Sequence, residues 1–468
     1  MTAIARAAKV CMAQSPGMDA SVFGSRPRFR AALLAATLVL ATLWARPAAA
    51  TVYVDCSGGM PGAFTSIGAA VNSLTAPPPT NDWHYILLKS NCTENVLITG
   101  GRKLWIAPDG SQCPYAACLP TGPALRIMAA AANQAVVQVA GPGDVTLVHL
   151  LLSGGSSGLS AGGNAVVTTY DVIAEDNTSA GFAVGSGAAL FINEGGSRRN
   201  GWFGVSVGEG ATASLNGQLP WLGNQPLVVT GNKGGVRADR GVLLAASGVT
   251  VEGNTGPGIQ TFGGKLTWGA YQGETVVQNN QGGASLSEGS QASLWRSGTG
   301  TTTFRNNGTY GVYVEKNSHA SIFDVLIEGH SGMGVDTVMG SQVALQGTRV
   351  RANGSSTAGT GGVRIDGNSN AFVEQAQVTD NLGPAFVVDL NSSVDARAPV
   401  VTGNAREAFR LRGGSFLTLT PGGSLGPNAG PPVTCDLASH VFSSTLSRSF
   451  ACFNVAPLTQ PRPIRPPM

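Results

Sequence analysis

Residues 307–330 read NGTYGVYVEKNSHASIFDVLIEGH: an asparagine-led turn, an alternating apolar run, a serine turn, then a second alternating run. The phrase returns ten times. Its first small residue stands at Gly181, Gly204, Gly235, Gly258, Gly283, Gly311, Gly334, Gly362, Ala385 and Ala408, at intervals of 23, 31, 23, 25, 28, 23, 28, 23 and 23 residues. A repeat of this length, with period-two alternation and no helical period, specifies a solenoid of stacked β-coils.

Aligned on the small residue, the repeats form columns. The positions one and three residues on are apolar, as in Val205 and Val207, Val312 and Val314, or Phe409 and Leu411, so they point into a core. Seven residues on stands a serine in six successive coils, Ser290, Ser318, Ser341, Ser369, Ser392 and Ser415, as a tight stacked turn requires. A second inward pair follows, for example Ala320 and Ile322. A third inward column runs Val229, Val251, Val277, Phe304, Ile327, Val350, Val378 and Val401. Three residues after each stands Asn232, Asn254, Asn280, Asn307, His330, Asn353, Asn381 or Asn404, continuing Asn177 and Asn200. Asparagine tolerates left-handed turns, and its amide can bond the same group in the next coil. The expectation is an all-β parallel β-helix with three short strands per coil and about thirteen coils at a rise of about 4.8 Å.

The first fifty residues lie outside this pattern. Arg26, Arg28 and Arg30 precede an apolar run from Ala31 to Trp44, and Arg46-Pro47-Ala48-Ala49-Ala50 has the small residues of a cleavage site. Residues 1–50 therefore read as a signal peptide cleaved near Ala50, and the protein is expected to be secreted or periplasmic. Met18 lies nearer this signal than Met1, which makes 1–17 a candidate mis-assigned start. Without the leader, 23 basic residues face 25 acidic ones, so the electrostatic case for a nucleic-acid partner falls away. No later apolar run has the length of a membrane span.

The six cysteines after the leader, Cys56, Cys92, Cys113, Cys118, Cys435 and Cys452, cluster at the two ends. In an exported chain they read as disulfides, and proximity pairs Cys56 with Cys92, Cys113 with Cys118 and Cys435 with Cys452. The expected organisation is a cap with first coils over 51–120, the β-helix over 121–420, and a disulfide-bonded cap with a Pro-rich tail over 421–468.

The coil pattern resembles the right-handed parallel β-helix, or pectin-lyase-like, superfamily. Gly62-Ala63-Phe64-Thr65-Ser66-Ile67-Gly68-Ala69-Ala70-Val71 is similar to the opening of its methylesterase-like members, which implies a strand and an N-terminal capping helix. The fold hosts many activities, so function must come from the outer surface.

Catalytic members of that superfamily act on the outer face of the strand after the asparagine turn. Two residues after each small residue, the outward column reads Ala183, Ser206, Arg237, Gln260, Ser285, Tyr313, Asp336, Arg364, Val387 and Arg410; four after, it reads Gly185, Gly208, Asp239, Phe262, Ser287, Glu315, Val338, Asp366, Asp389 and Arg412. Charges concentrate in the last five coils. Asp366 and Asp389 share a column, and Asp336 lies one coil earlier on the diagonal. Carboxylates this close raise one another's pKa, as a glycosidic acid/base pair requires. Asp336, Asp366, Asp389, Arg364 and His330 are therefore the candidate catalytic residues, with Tyr313, Glu315, Arg410 and Arg412 as substrate contacts. The segment around His330 is similar to the Gly-His-Gly element of polygalacturonases, and Arg364-Ile365-Asp366 to their Arg-Ile-Lys. Their upstream Asn-Thr-Asp and Asp-Asp elements, and the arginine-rich motifs of pectate lyases, are absent. Gly204-Val205-Ser206-Val207-Gly208 matches a nucleophile elbow in letters only, since the strand continues the solenoid.

Trp202, Trp221, Trp268, Trp295 and Tyr271 stand near inserted turns, where they would either stack on sugars or cover the rod. Three functions compete. The favoured one is a non-catalytic carbohydrate-binding or structural surface protein whose partner is a polysaccharide or cell-surface glycan. The second is a polysaccharide lyase or glycoside hydrolase acting on an acidic polysaccharide. The third is an adhesin-like passenger. No cofactor is expected, except that a lyase would add Ca²⁺ between the carboxylates.

Overall fold

The structure is a computed structural model that describes residues 51–74, 83–110, 124–218, 225–356 and 359–443. The expected leader, Trp221, Cys113, Cys118 and Cys452 lie outside these residues.

Each coil lays down three short strands. In the coil quoted above they are Tyr310–Val314, His319–Phe323 and Leu326–Glu328. Each pairs in parallel with its counterpart one coil on: Val312 with Val335, Ala320 with Val343, Ile327 with Val350. The first strands make one fourteen-stranded sheet from Val96–Thr99 to Val433–Cys435, one strand more than the coil estimate. The second and third strands make two further faces. These become continuous where one strand turns the corner: Ala165–Glu175 pairs with both Gly143–Val148 and Leu150–Ser153, bending at Asp171 with φ of 50°. The stack runs on past residue 420 through Val433–Cys435 and His440–Ser443.

The inward columns form one continuous core. Val312, Val314, Ala320, Ile322 and Ile327 are fully buried, as are their counterparts in neighbouring coils. Trp268, read above as a surface aromatic, is fully buried among them. Tyr271 is the exposed member of that insertion and packs edge-on against Trp295 at 4.5 Å.

The turns bond to each other as the ladder expectation requires. The Asn280 side-chain amide donates to Asn307 Oδ1 at 3.1 Å and to the Val251 carbonyl at 3.0 Å, and its backbone N–H also donates to Asn307 Oδ1. The same set recurs at Asn254, Asn353, Asn381 and Asn404, and Asn428 adds a further rung. One detail differs from expectation. The left-handed residue is the one before the ladder asparagine, such as Asp176, Arg199, Asn279, Asn306, Ala352 or Asp380, with φ between 52 and 55°. The asparagine is kept for its amide, not for its backbone. A parallel serine ladder carries the second turn: the backbone N–H of Ser290, Ser318, Ser341 and Ser369 each donates to the hydroxyl of the next serine.

The repeat glycine has a steric cause. A Cβ on Gly311 would stand 2.5 Å from the Gly334 carbonyl oxygen, 2.5 Å from Ile327 Cγ2 and 2.6 Å from His330 Nε2. The chain here presses against the ladder and the next coil, so only the smallest residue fits.

At the first coils, the helix Ile67–Ser73 buries Ile67, Ala70 and Val71, with Ser66 as its N-cap. The Glu94 carboxylate accepts the Ile67 and Gly68 backbone N–H groups at its start. The Cys56–Cys92 disulfide forms as paired above, with Cα atoms 5.3 Å apart. Cys435 is also disulfide-bonded.

His330 occupies an asparagine rung. Its Nδ1 accepts the Asn307 backbone N–H at 3.1 Å, and burial pushes its pKa down to about 4. The unfolded chain regains the ordinary value near 6.5, so it takes up a proton that the folded coil refuses as pH falls from 6.5 to 4. The contribution of this one group should therefore leave stability undiminished above pH 6.5 and lower it across that window by about 3 kcal/mol. His330→Asn restores the rung and should flatten this slope in denaturant titrations at pH 7 and pH 4.5; an unchanged slope would remove His330 as its source. Gly311→Ala should cost about 1–3 kcal/mol by the same assay, whereas Gly185→Ala, whose Cβ meets nothing within 4 Å, should cost little.

Candidate functional site

The outer face of the fourteen-stranded sheet carries the outward columns, some of them exposed and some, such as Ser287, Asp336 and Val387, buried. Register stacks the first outward column coil by coil: Ser206 beside Arg237, Arg237 beside Gln260, Ser285 beside Tyr313, Tyr313 beside Asp336, Asp336 beside Arg364. In the second column Ile365 pairs with Val388 and Val388 with Leu411, so Asp366, Asp389 and Arg412 follow one another on adjacent coils.

These charges are largely engaged with one another. Arg364 grips Asp336 at two points, Nε to Oδ1 at 2.7 Å and Nη2 to Oδ2 at 2.6 Å. A carboxylate held in this fork is a poor proton donor. The Tyr313 hydroxyl donates to Glu315 at 3.1 Å, and its ring tilts against Tyr310 at 5.3 Å. Burial, then the charges of Glu315 and Asp336, push the Tyr313 phenol well above the ordinary tyrosine range. Arg410 pairs with the buried Glu407.

Asp366 and Asp389 remain. Oδ1 of each is shielded and has no hydrogen-bond partner, as is Nε of Arg412. The Asp389 carboxyl is pushed up first by burial, opposed by Arg412, with the Asp366 charge a further raising influence. At Asp389 the carboxylate-carboxylate effect expected from the sequence is thus secondary to desolvation. His330 is not on this face: it is buried in the turn ladder, where Asn307 takes its Nδ1.

A calcium ion does not fit the three aspartates. Their oxygens do not come within 4.8 Å of one another as a group of three, and Arg364 already takes both oxygens of Asp336. Among the described residues the one such group is Cys56, Cys92 and Glu94, whose sulfurs are joined in the disulfide.

The same face carries a feature that charge-led reading of the columns passed over. Across the strands Val137–Ala140, Leu159–Gly162, Phe182–Val184 and Phe203–Val207 lies a groove of about 460 Å³. Its floor is Ser160, Gly162, Ala183, Gly185, Ser206 and Gly208, and no lining residue is charged. The groove exists because both outward columns shrink to glycine, alanine and serine here. The signal was present in the sequence as Ala183, Ser206, Gly185 and Gly208. Next to Ser206 in the register comes Arg237, whose guanidinium lies 5.1 Å from the Trp202 ring and 4.7 Å from that of Phe262.

A family model described as a right handed beta helix region matches residues 290–421. Among solved structures, the chain is similar to the A-modules of two Azotobacter vinelandii mannuronan C-5 epimerases, AlgE6 and AlgE4. Each is 11% identical, with 81% of this chain and 94% of the other covered, and the TM-scores are 0.32 and 0.29. No curated protein matches the chain in sequence.

Asp336→Ala should leave the partly buried Arg364 without its fork and cost about 1–3 kcal/mol. The double variant with Arg364→Ala should lose less than the sum of the single changes in denaturant titrations. Strict additivity would mean that the pair contributes nothing to stability.

Proposed function

For a chain that is a right-handed parallel β-helix, we propose that its role is to bind an extended polysaccharide along the outer face of the fourteen-stranded sheet without cleaving it. The uncharged groove over Ser160, Ala183, Gly185 and Ser206 carries this reading. Its floor crosses several coils and offers hydroxyls and backbone to a hydroxylated polymer, and Trp202 and Arg237 stand at its margin to meet a sugar ring. The binding partner is then a polysaccharide or cell-surface glycan. A leader ending near Ala50, together with the cysteine usage, supports export as secreted or periplasmic.

Gly185→Trp fills the groove with no change required in the coil, since nothing lies within 4 Å of a Cβ there. Binding on a glycan array should fall at least about tenfold while the melting temperature stays unchanged. Retained binding with a folded variant would overturn the groove assignment.

One observation favours a second reading, a lyase or glycoside hydrolase. The Asp389 carboxyl is raised by burial, lies one coil from Asp366, and each has an unpartnered oxygen. This reading would make Asp389 the proton donor and Arg364, Arg410 and Arg412 the anion contacts. Reducing ends or ultraviolet-absorbing unsaturated products, formed from acidic polysaccharides and abolished in Asp366→Asn and Asp389→Asn, would establish it over the binding role.

A further inference from the structure

The serine turn joins the first strand of each coil to the second, and its tip stands two residues before the ladder serine. From the coil of Ser290 to that of Ser439 the tip reads Glu288, Lys316, Met339, Gly367, Leu390, Gly413 and Leu437. Backbone bonds stack these tips in order: the Asn317 N–H donates to the Met339 carbonyl, Gly340 to Gly367, Asn368 to Leu390 and Asn391 to Gly413. Charged tips thus give way to large apolar ones in every second coil, with glycine between them.

Two properties set the apolar tips apart. Met339, Leu390 and Leu437 are 57%, 58% and 89% exposed, while the inward columns of the same coils are buried. Met339 and Leu390 also hold left-handed backbone, with φ of 56° and 52°, a conformation unfavourable for bulky side chains and natural for glycine. Gly367 and Gly413 meet the same demand at 66° and 62°. The coil would therefore be served as well by glycine or asparagine at Met339 and Leu390, and their side chains face water instead of the core.

The spacing is self-complementary. Coils rise about 4.8 Å, so the apolar knobs stand about 9.6 Å apart with a glycine between each pair. Leu390 leans toward Gly413, its Cδ2 3.5 Å from where a Cβ would lie, whereas no side chain comes within 4 Å of the Cβ position at Gly367. A gap is left there between Met339 and Leu390.

We propose that this ridge is a contact between two copies of the chain, packed antiparallel so that Leu390 of each seats at Gly367 of the other and Met339 faces the other's Gly413. Antiparallel rods offset by an odd number of coils bring knobs to gaps, and the contact then repeats itself about a two-fold axis. A parallel pair about such an axis would set knob against knob. The column beside the ridge, Val338, Asp366, Asp389, Arg412 and Asp436, carries more acid than base, so the contact is apolar and not drawn together by charge. Its small area places association in about the micromolar range. The proposal does not rest on the groove, which lies on coils nearer the N-terminus.

Sedimentation velocity of the full chain between about 1 and 200 µM tests it. The sedimentation coefficient should rise with concentration, and added salt should preserve or strengthen the association. Leu390→Asn should weaken it at least about tenfold and leave the melting temperature unchanged or higher, because asparagine tolerates the left-handed turn. Met339→Asn should act in the same direction. Phe191→Ser, at an exposed apolar residue on another face, should change nothing. A chain that stays monomeric throughout, as when another occupant takes the ridge, or association untouched by both turn variants, would overturn the proposal. So would a clear fall in melting temperature with Leu390→Asn, since the side chain would then serve its own coil.

Discussion

Everything in this molecule depends on a single constraint: identical turns must stack so that each satisfies the next. The buried amide of one ladder asparagine donates to the side-chain oxygen Oδ1 of the asparagine one coil on, and that same oxygen accepts the backbone N–H of the earlier residue. A buried polar turn without such partners would be costly. Once the ladder is closed, the spacing between coils is set. The inward positions are then superimposed, and the position beside the ladder is held to a small residue, glycine in eight coils and alanine at Ala385 and Ala408. His330 shows how tightly the position is defined, since a larger ring there reproduces one ladder bond and is held neutral by burial.

That constraint also explains how a surface arises on a regular stack. Inward and ladder positions are dictated by neighbours above and below, so variation is confined to outward columns and to turn tips. Two devices follow. Shrinking the outward columns to glycine, alanine and serine sinks the groove over Gly185 and Gly208, and alternating large apolar tips with glycine raises the ridge of Met339 and Leu390. Neither needs a change in the coil itself.

The columns were legible because strand alternation has a strict period of two and the turn residues recur at fixed offsets. Val312, Ile327 and Ser318 lie where their sequence positions place them, and Cys56 meets Cys92. The site was legible only as an address. Sequence spacing put Asp336, Asp366 and Asp389 on one outer face, but it could not show that Arg364 clasps Asp336 by two bonds. It also could not show that Asp389 is raised mainly by burial. Trp268 read as a surface aromatic because it neighbours an insertion, yet it faces the core, since a strand's alternation continues up to the corner and only then releases the chain.

The amino-acid sequence by itself determined the repeat, the inward and outward columns of the coils from Gly181 onward, and the two turn ladders, because each depends on offsets within a coil or between adjacent coils. The tertiary structure alone decided which outward charges neutralise one another, which residue of each turn is left-handed, and where the surface sinks. These depend on side-chain reach and on the backbone of each turn, and such quantities exist only once the coils are stacked.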